Sequence, residues 1–466
     1  MSNIINSTTV KQLFVLLMTF TAIWIFSKHY GISNTNEASI TCPNCNIILI
    51  VIDAARQDHF GVYNYTRNTT PNIDRLATQS FVFENAISQA TWTKPSIASL
   101  FTSTYPTRHG MDEYSSNNDK GVCGMLPVSL STLAEQLRKS GYSTHGLINN
   151  PMVDSRFGFD KGFDTYQSYQ DSILTKNAMN IINDGSNKPF FIYLHYTGPH
   201  APYTPVANFS RMFVGDDSEF IDTQGKQQDY YLKANLSKRQ LNYVISQYDG
   251  KLAYIDNQIG GIINELDRAG LSKKTILIIT SDHGEEFFDH NGEFGHGYEP
   301  YDVLINVPLI LWVPPAGVHH QIKNQVRLID LMPTLIDLTT GSIPGGLDGV
   351  SIMPILTGNN LSLIGYSELT IKLGNMAYKT LALRTEGWKY MYTPSTGDEK
   401  LYYIESDPRE INDLSGAIQL KLNFKEDILE YEKSNSYKAS VIRNESCNWD
   451  YSNKSRSRLY SLEYVI

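Results

Sequence analysis

The chain alternates short apolar runs with amphipathic segments, and this alternation predicts an α/β fold. Continuous apolar, β-branched runs lie at residues 46–53, 189–195, 275–281 and 308–314. Such runs are typical of strands buried on both faces of a parallel sheet. Helical patterns lie between them: Thr70 and Pro71 begin one, Ser131 begins another, and a long one covers residues 241–269. We therefore predict a central, mostly parallel sheet with helices on both faces.

A change of pattern after residue 362 indicates a second, smaller lobe. Short β-like runs lie at residues 381–392 and 401–404, and a polar tail rich in Lys, Ser and Asn follows them. A chain of 466 residues is also long for a single core, because single domains usually stop growing near about 250–300 residues. We predict a main domain over residues 46–362 and a smaller C-terminal α+β lobe with a polar tail over residues 363–466.

The N-terminus carries an apolar run at residues 13–26, with Lys11 before it and Lys28 after it. The run is short for a membrane helix of about 20 residues, although the flanking lysines can extend it by snorkelling. A cleaved signal peptide, with an apolar region of about 7–15 residues, fits as well. Residues 1–30 are thus predicted to be a membrane anchor or a signal peptide, and residues 31–45 a tether. Both predictions place the protein outside the cytoplasm, anchored to the membrane in the first case and secreted in the second.

Charge and cysteine content narrow the class of partner. The net charge of −9 argues against a nucleic-acid partner, because phosphate backbones are bound by clustered Lys and Arg. The four cysteines are Cys42, Cys45, Cys123 and Cys447. They allow three complete pairings, and a zinc site would need two further ligands at suitable spacing. We expect a disulfide rather than a zinc site, and a small partner rather than a nucleic acid.

Polar side chains stand at the ends of three predicted strands. Asp53, His195 and Asp282 lie at those ends or one residue beyond them, and ligands of open α/β sheets bind at the carboxyl edge of the strands. His283 follows Asp282 directly. Carboxylate oxygens and imidazole nitrogens suit a divalent ion such as Zn²⁺, Mn²⁺, Mg²⁺ or Ca²⁺.

A hydroxyl lies at the start of a predicted helix. Thr93 precedes Pro95, which is well placed as the first helical residue. The unpaired N–H groups of a helix N-terminus attract anions, so Thr93 could attack a tetrahedral oxyanion held there. A plain N-cap is the alternative for this threonine.

A dozen short motifs occur along the chain in one order. Among them are Asp53-x-x-Arg56-x-Asp58, Pro95-Ser96-x-x-Ser99-Leu100-x-Thr102, Arg108-His109-Gly110, His195-x-x-x-Pro199-His200-x-Pro202-Tyr203, Ser281-Asp282-His283-Gly284-Glu285, Gly295-His296-Gly297, Leu347-Asp348-Gly349 and Asp407-Pro408-x-Glu410. In this order, over residues 46–414, the chain resembles a type I sulfatase-like member of the alkaline phosphatase superfamily. The resemblance implies an alkaline-phosphatase-like sandwich, with a sulfatase-like catalytic domain over residues 46–362.

The resemblance also implies roles for single residues. The implied ligands of one divalent metal ion are Asp53, Thr93, Asp282 and His283. Thr93 matches the nucleophile as well, and His200 and His296 match side chains that contact the oxyanion or the leaving group of an ester. His195 is expected to bind substrate or to be structural, and Lys94 is expected to point to solvent.

The chain departs from working sulfatases at two places. Sulfatases of this type oxidise a Cys or Ser to formylglycine and carry an Arg four residues later, where this chain has Thr93 and Ile97. Threonine cannot give that aldehyde, because its carbinol carbon already carries a methyl group. Ala54 stands where many sulfatases place another metal-binding Asp, and His283 stands where many have Asn.

These departures favour a phosphate ester over a sulfate ester as the substrate. Superfamily branches that resemble nucleotide phosphodiesterases and phosphoethanolamine transferases use a threonine that accepts a phosphoryl group. We predict a metal-dependent hydrolase or transferase of phosphate esters, phosphodiesters first, with a small-molecule, lipid or glycan ester as substrate. The alternatives are sulfuric ester hydrolysis by unmodified Thr93 and a catalytically silent binding protein with the same fold.

Overall fold

The structure is a computed structural model that describes residues 40–115, 124–185, 188–314, 319–373, 376–416 and 418–442. These described residues group into one compact unit. The strands are β1 Asn46–Ile52, β2 Phe81–Phe83, β3 Ala86–Ile87, β4 Glu113–Ser115, β5 Ser143–Ile148, β6 Thr165–Ser168, β7 Phe190–Tyr196, β8 Thr275–Thr280, β9 Glu286–Phe287, β10 Phe294–Gly295, β11 Leu309–Trp312, β12 His320–Ile322, β13 Val326–Arg327, β14 Gly365–Leu373, β15 Met376–Arg384, β16 Trp388–Thr393 and β17 Asp398–Tyr403.

The α-helices fall between and after these strands. They are α1 Pro71–Ala77, α2 Thr93–Thr102, α3 Pro106–His109, α4 Leu133–Lys139, α5 Asp171–Ile182, α6 Gln228–Lys233, α7 Lys238–Arg268, α8 Asp302–Ile305, α9 Leu331–Thr339, α10 Met353–Leu356 and α11 Ile418–Ile442. The four predicted central strands correspond to β1, β7, β8 and β11, each within two residues of its predicted ends.

The central sheet has eight strands in the order β12-β2-β11-β8-β1-β7-β5-β6. Strand β11 runs antiparallel to both of its neighbours, and the other pairings are parallel. The predicted mostly parallel sheet is therefore confirmed. The carboxyl ends of β1, β7 and β8 lie side by side, because β1 pairs in parallel with both β7 and β8.

Each face of the sheet carries its own apolar core. Along β1, Ile47, Leu49 and Val51 belong to one core, which also contains apolar side chains of α2, α4 and α9. Ile48, Ile50 and Ile52 belong to the other, which contains side chains of α1, α5 and α7. Successive strand residues point to opposite faces, so a strand covered on both sides needs an unbroken apolar run.

Helix starts differ slightly from the predicted ones. The N-cap of α4 is Thr132 rather than Ser131, because the Thr132 side chain and Glu135 form a reciprocal capping box. Helix α2 begins at Thr93, with extended Trp92 before it, so that Pro95 is the third helical residue and not the first. A helix boundary depends on which residue is extended, and a one-residue shift is beyond the resolution of the sequence pattern.

The C-terminal lobe contains a five-stranded sheet in the order β17-β16-β15-β14-β4. It is antiparallel except for the pairing of β14 with β4, a strand taken from the predicted main domain. The boundary between residues 362 and 363 stays a prediction. Helix α11 occupies part of the polar tail, where the sequence pattern did not indicate it, and its Ile428 and Tyr431 pack with Tyr390 and Leu401 of the sheet.

The expected disulfide is present between Cys42 and Cys45. Cys123 and Cys447 lie outside the described residues. The apolar run at residues 13–26 also lies outside them, so the anchor and the signal peptide both stay predictions. Among the helices that the structure describes, none combines the length and the apolar character that a membrane crossing requires.

Candidate active site

Asp53 and Asp282 face each other across the ends of two neighbouring strands. Asp53 directly follows β1, and Asp282 comes two residues after β8. Ala54 has a left-handed φ of 56°, which is uncommon for a residue with a Cβ. Its backbone N–H donates to Asp282 Oδ1 over 3.2 Å. This turn links the two strand ends, and both carboxylates are fully buried.

Thr93 joins the two aspartates from the first turn of α2. Its Oγ1 lies 3.5 Å from Asp53 Oδ1 and 3.3 Å from His283 Nε2. The Asn150 amide donates to Asp53 Oδ2 over 2.6 Å and to Thr93 Oγ1 over 3.4 Å. Asn150 therefore holds both the carboxylate and the hydroxyl in place.

His283 presents its Nε2 atom to the same point. Its Nδ1 pairs with the Gly284 carbonyl over 2.8 Å, which orients Nε2 at 3.4 Å from Asp53 Oδ1 and 3.7 Å from Asp282 Oδ2. A Cβ on Gly284 would overlap the carbonyl oxygen of Val303. Glycine is therefore required at this position, because the backbone of Val303 passes too close for a Cβ.

These groups fit a metal ion. Ligand atoms of Asp53, Asp282 and His283 all lie within 4.8 Å of one another. Two atoms that each bind one ion at about 2.0–2.2 Å are at most about 4.4 Å apart, and the separations from His283 Nε2 meet that limit. Asp282 Oδ2 is buried and has no hydrogen-bond partner within the described part of the chain. A buried carboxylate oxygen without a donor is what a cation would satisfy.

The electrostatics of Asp53 support this assignment. Burial raises the pKa of Asp53 well above its usual value, the adjacent carboxylate of Asp282 raises it further, and the Asn150 hydrogen bond opposes both effects. Bringing two carboxylates together in a buried site is unfavourable unless a positive charge is present. A divalent ion held by Asp53, Asp282 and His283 would supply that charge.

His200 and His296 form a second group beside the first. Their ring centroids are 4.8 Å apart, and the rings of His296 and His283 are 4.4 Å apart. His296 Nδ1 lies 2.8 Å from Glu285 Oε1, and His200 Nδ1 lies 2.6 Å from the Ala201 carbonyl oxygen. Burial lowers the pKa of His296 to about 4, and burial together with His296 lowers that of His200 to about 3. Both imidazoles are therefore neutral at neutral pH.

The structure places His195 with the two aspartates. Its ring is fully buried at the end of β7, and Nε2 lies 4.0 Å from Asp53 Oδ2 and 3.9 Å from Asp282 Oδ2. Nδ1 is 2.7 Å from the Tyr193 hydroxyl. The prediction that Lys94 points to solvent is wrong: the side chain is buried, with its ammonium nitrogen 4.1 Å from the centroid of the Phe157 ring.

The structure thus brings together Asp53, Thr93, Asp282 and His283, with His200 and His296 beside them, and their roles stay predictions. The sequence analysis gave no role to Asn150, Glu285 or Lys251. Asn150 follows β5 by two residues, but β5 was not among the predicted strands, so the strand-end rule that selected Asp53 did not reach it. Lys251 lies inside α7 and donates to the carbonyls of His200 and Pro202, a contact with no signal in the sequence.

Comparisons with known proteins agree with this arrangement. A sequence profile of the family described as "Sulfatase" matches residues 45–342, and a second profile, "N-sulphoglucosamine sulphohydrolase, C-terminal", matches residues 293–433. An arylsulfatase of Clostridium perfringens is 25% identical over 451 residues, which cover 81% of this chain and 91% of the relative. The multifunctional alkaline phosphatase superfamily protein PehA of Trinickia caryophylli is 22% identical, over 80% of this chain and 91% of its own.

A solved structure shares the fold. The phosphonate monoester hydrolase of Agrobacterium radiobacter superposes with a TM-score of 0.71 at 19% identity, over 84% of this chain and 96% of that chain. At this identity the likeness shows the fold alone, while the family profile covers more than half of the sequence. The chain therefore belongs to the sulfatase family and is a hydrolase of the sulfatase and alkaline phosphatase superfamily.

Proposed function

We propose that this protein hydrolyses phosphate esters, phosphodiesters in the first place, with Thr93 as the nucleophile. The observation that carries the proposal is the position of the Thr93 hydroxyl, buried in the first turn of α2 and 3.5 Å from Asp53 Oδ1. An alcohol at this point can attack a tetrahedral anion that the helix N-terminus and the site hold in place.

The surroundings of Thr93 favour phosphorus over formylglycine chemistry. The position four residues later, where sulfatases carry an Arg, is Ile97, and its side chain is fully buried in the apolar core. No guanidinium can reach the nucleophile from there. The unmodified threonine hydroxyl and the neutral side chain at residue 97 thus agree with a nucleophile that accepts a phosphoryl group.

The first half of the reaction forms a phospho-threonine. A divalent ion, when bound to Asp53, Asp282 and His283, would lower the pKa of the Thr93 hydroxyl and offset the charge of the ester. Asn150 orients the hydroxyl through its 3.4 Å hydrogen bond. Thr93 Oγ1 forms a bond to phosphorus as the bond to the leaving alcohol breaks, and the N–H groups of the first turn of α2 face the oxyanion.

His296 carries the proton of the Thr93 hydroxyl to the leaving alcohol. Glu285 accepts the Nδ1–H of His296, so neutral His296 offers the lone pair on Nε2. It takes the proton from Thr93 and returns it to the leaving alcohol, while the Glu285 carboxylate stabilises the imidazolium between the two steps. Water then cleaves the phospho-threonine. An acceptor alcohol in its place would make the same chemistry a transfer.

A substrate panel tests the proposal. We expect purified protein to cleave a bis-aryl phosphate faster than an aryl phosphate or an aryl sulfate. Acid-quenched samples should carry an aryl-phosphoryl group on Thr93 by mass spectrometry, because only one of the two aryl alcohols leaves when Thr93 attacks the diester. Thr93→Ala should lower kcat by about 10³-fold or more. The matched control is Thr102→Ala at the other end of the same helix, whose hydroxyl donates to Ala98. Full activity of Thr93→Ala on every ester would contradict the proposal and favour a silent binding protein with a contaminating activity.

A second function is sulfuric ester hydrolysis by the unmodified Thr93. The 25% identity to an arylsulfatase favours it. Faster cleavage of the aryl sulfate, with a sulfuryl rather than a phosphoryl group on Thr93, would establish this function in place of the first. The two adducts differ in mass, because the one formed from the bis-aryl phosphate keeps an aryl group, so mass spectrometry separates them.

We also propose that the protein works outside the cytoplasm. The Cys42–Cys45 disulfide supports this location, because disulfides persist mainly in oxidising compartments. Thiol labelling of protein taken directly from its cells is expected to leave both cysteines unmodified until a reductant is added. Immediate labelling of both cysteines would argue for a reducing compartment.

A further inference from the structure

His195 lies in the middle of the sheet, and one of its ring nitrogens has no hydrogen-bond partner among the described residues. Its strand, β7, lies between β1 and β5, and the residue is fully buried. Nδ1 is bonded to the Tyr193 hydroxyl, but Nε2 is buried and has no hydrogen-bond partner among the described residues. A buried imidazole nitrogen without a hydrogen-bond partner is unfavourable, so a partner is expected at that point.

The unpaired nitrogen points at the proposed metal ligands. His195 Nε2 lies 4.0 Å from Asp53 Oδ2 and 3.9 Å from Asp282 Oδ2. These separations are too long for hydrogen bonds, yet they lie within the limit of about 4.4 Å for two ligands of one ion. His283 Nε2 lies within the same limit, at 3.7 Å from the same Asp282 Oδ2 and at 3.4 Å from the other oxygen of Asp53, Oδ1.

The hydrogen bond to Tyr193 orients the His195 ring so that Nε2 can bind a metal ion. We assign the proton to Nδ1, with the Tyr193 hydroxyl as its acceptor, which leaves the lone pair on Nε2. Such a hydrogen bond fixes the tautomer and the ring direction of a metal-binding histidine. The Tyr193 ring is itself held edge-on by Phe101, at a centroid distance of 4.8 Å.

We propose that His195 Nε2 is a further ligand of the metal ion, so that two carboxylates and two imidazoles hold it together with Thr93. The inference rests on the metal site of the proposed function and extends its ligand set. Ala54, which stands where many sulfatases have another metal-binding Asp, has no donor atom. His195 supplies the missing donor from the neighbouring strand and replaces a negative charge by a neutral nitrogen.

This replacement has a consequence for metal choice. Two carboxylates balance one divalent ion, whereas three would leave the site negative. Imidazole suits Zn²⁺, Co²⁺ or Mn²⁺ better than Ca²⁺ or Mg²⁺, which take oxygen ligands almost exclusively. The site is therefore expected to hold a first-row transition ion in the presence of excess Ca²⁺ and Mg²⁺.

Counting imidazoles tests the ligand directly. Full-length protein is stripped with a chelator and reloaded with Zn²⁺ or Co²⁺, without substrate, for X-ray absorption and for the Co²⁺ visible spectrum. We expect two imidazoles in the wild type and one in His195→Asn, with the dissociation constant for Zn²⁺ raised by about 10- to 100-fold or more. His145→Asn, on neighbouring strand β5, is the matched control and should keep both imidazoles.

Two further variants keep the test decisive if His195→Asn does not fold. Tyr193→Phe retains the ring nitrogen, so it should keep two imidazoles and bind Zn²⁺ only several-fold more weakly. His195→Asp restores a third carboxylate and should shift preference toward Ca²⁺ in competition with Zn²⁺. One imidazole in the wild type, or an unchanged count and affinity in folded His195→Asn, would overturn the proposal. Because these readouts use no substrate, failure of the ester panel would leave this result standing.

Discussion

The two halves of the candidate site are built in different ways. The aspartate group, Asp53 and Asp282, extends from adjacent parallel strands whose register leaves it little freedom. The imidazole group, His200 and His296, lies on loops. His200 is in the long connection that follows β7, and His296 directly follows the β9–β10 hairpin, which begins just after Glu285.

Different packing supports the two groups. The strands under the aspartates are buried on both faces, while the hairpin under His296 leans on a separate aromatic cluster. That cluster contains Tyr203, Tyr231, Tyr248, Phe287 and Phe294. We therefore expect the sheet to position the proposed metal ligands Asp53 and Asp282, and the loops to position His200 and His296. Changes to one group should then leave the other intact.

The largest effect should come from Asp282→Asn. Losing one of two carboxylates weakens the hold on a divalent ion, so we expect metal content to fall and kcat/KM to drop by about 10³-fold or more. Metal analysis and ester kinetics on the same sample measure both. Asp337→Asn, whose side chain accepts from Ser351, is the control and should retain metal and activity. A folded Asp282→Asn protein with full metal content would contradict the proposed role of Asp282 as a metal ligand.

A smaller effect is expected from Glu285→Gln. Glu285 acts through His296, so kcat should fall by about 10- to 100-fold with KM and metal affinity nearly unchanged, and His296→Gln should fall further, by about 10²- to 10⁴-fold. The adjacent Glu286→Gln is the control, because Glu286 pairs with His290 over 2.8 Å. Loss of metal from the Glu285 variant would show that the two groups are not separable.

The smallest effect concerns pH and Glu293, in the turn of the hairpin. Burial, together with the neighbouring carboxylates of Glu286 and Glu299, raises the pKa of Glu293 to about 8. The folded protein keeps this proton after the unfolded chain has lost it, so this contribution to stability is lost as pH rises from about 4.5 to about 8. Glu293→Gln stays neutral, and its free energy of unfolding should decline less over that window. If the free energy of unfolding changed by the same amount between pH 5, 7 and 9 in both proteins, this prediction would be wrong. Glu219→Gln, at an exposed position, is the control.

The strand-end residues show how far sequence reasoning reaches. Asp53 and Asp282 could be predicted to meet, because continuous apolar runs indicate parallel strands and parallel strands end on one edge. Thr93 followed from a helix N-terminus and from family resemblance. Asn150 was not reached by the same rule, because β5 lacks the continuous apolar run that marked the four predicted strands, and asparagine is common in turns.

Other residues were beyond that reasoning. Lys94 is buried against Phe157 although a lysine in sequence predicts exposure, and Lys251 bonds two carbonyls about 50 residues away in sequence. His195 was expected to bind substrate or to be structural, and only the structure shows its Nε2 atom 4.0 Å from Asp53 Oδ2 and 3.9 Å from Asp282 Oδ2. Such contacts depend on how side chains meet across elements, which periodicity does not encode.

By itself, the sequence determined the layered α/β architecture and the position of the polar residues Asp53 and Asp282 at strand ends. It also determined that residue 93 is a Thr and not a formylglycine precursor. These features depend on the local apolar pattern and on residue identity. Only the tertiary structure decided that β11 runs antiparallel, that β4 joins the C-terminal sheet and that His195 turns its free nitrogen to Asp53 and Asp282. The physical reason is that direction, pairing and side-chain distance arise from long-range packing, in which many sequences of the same pattern can differ.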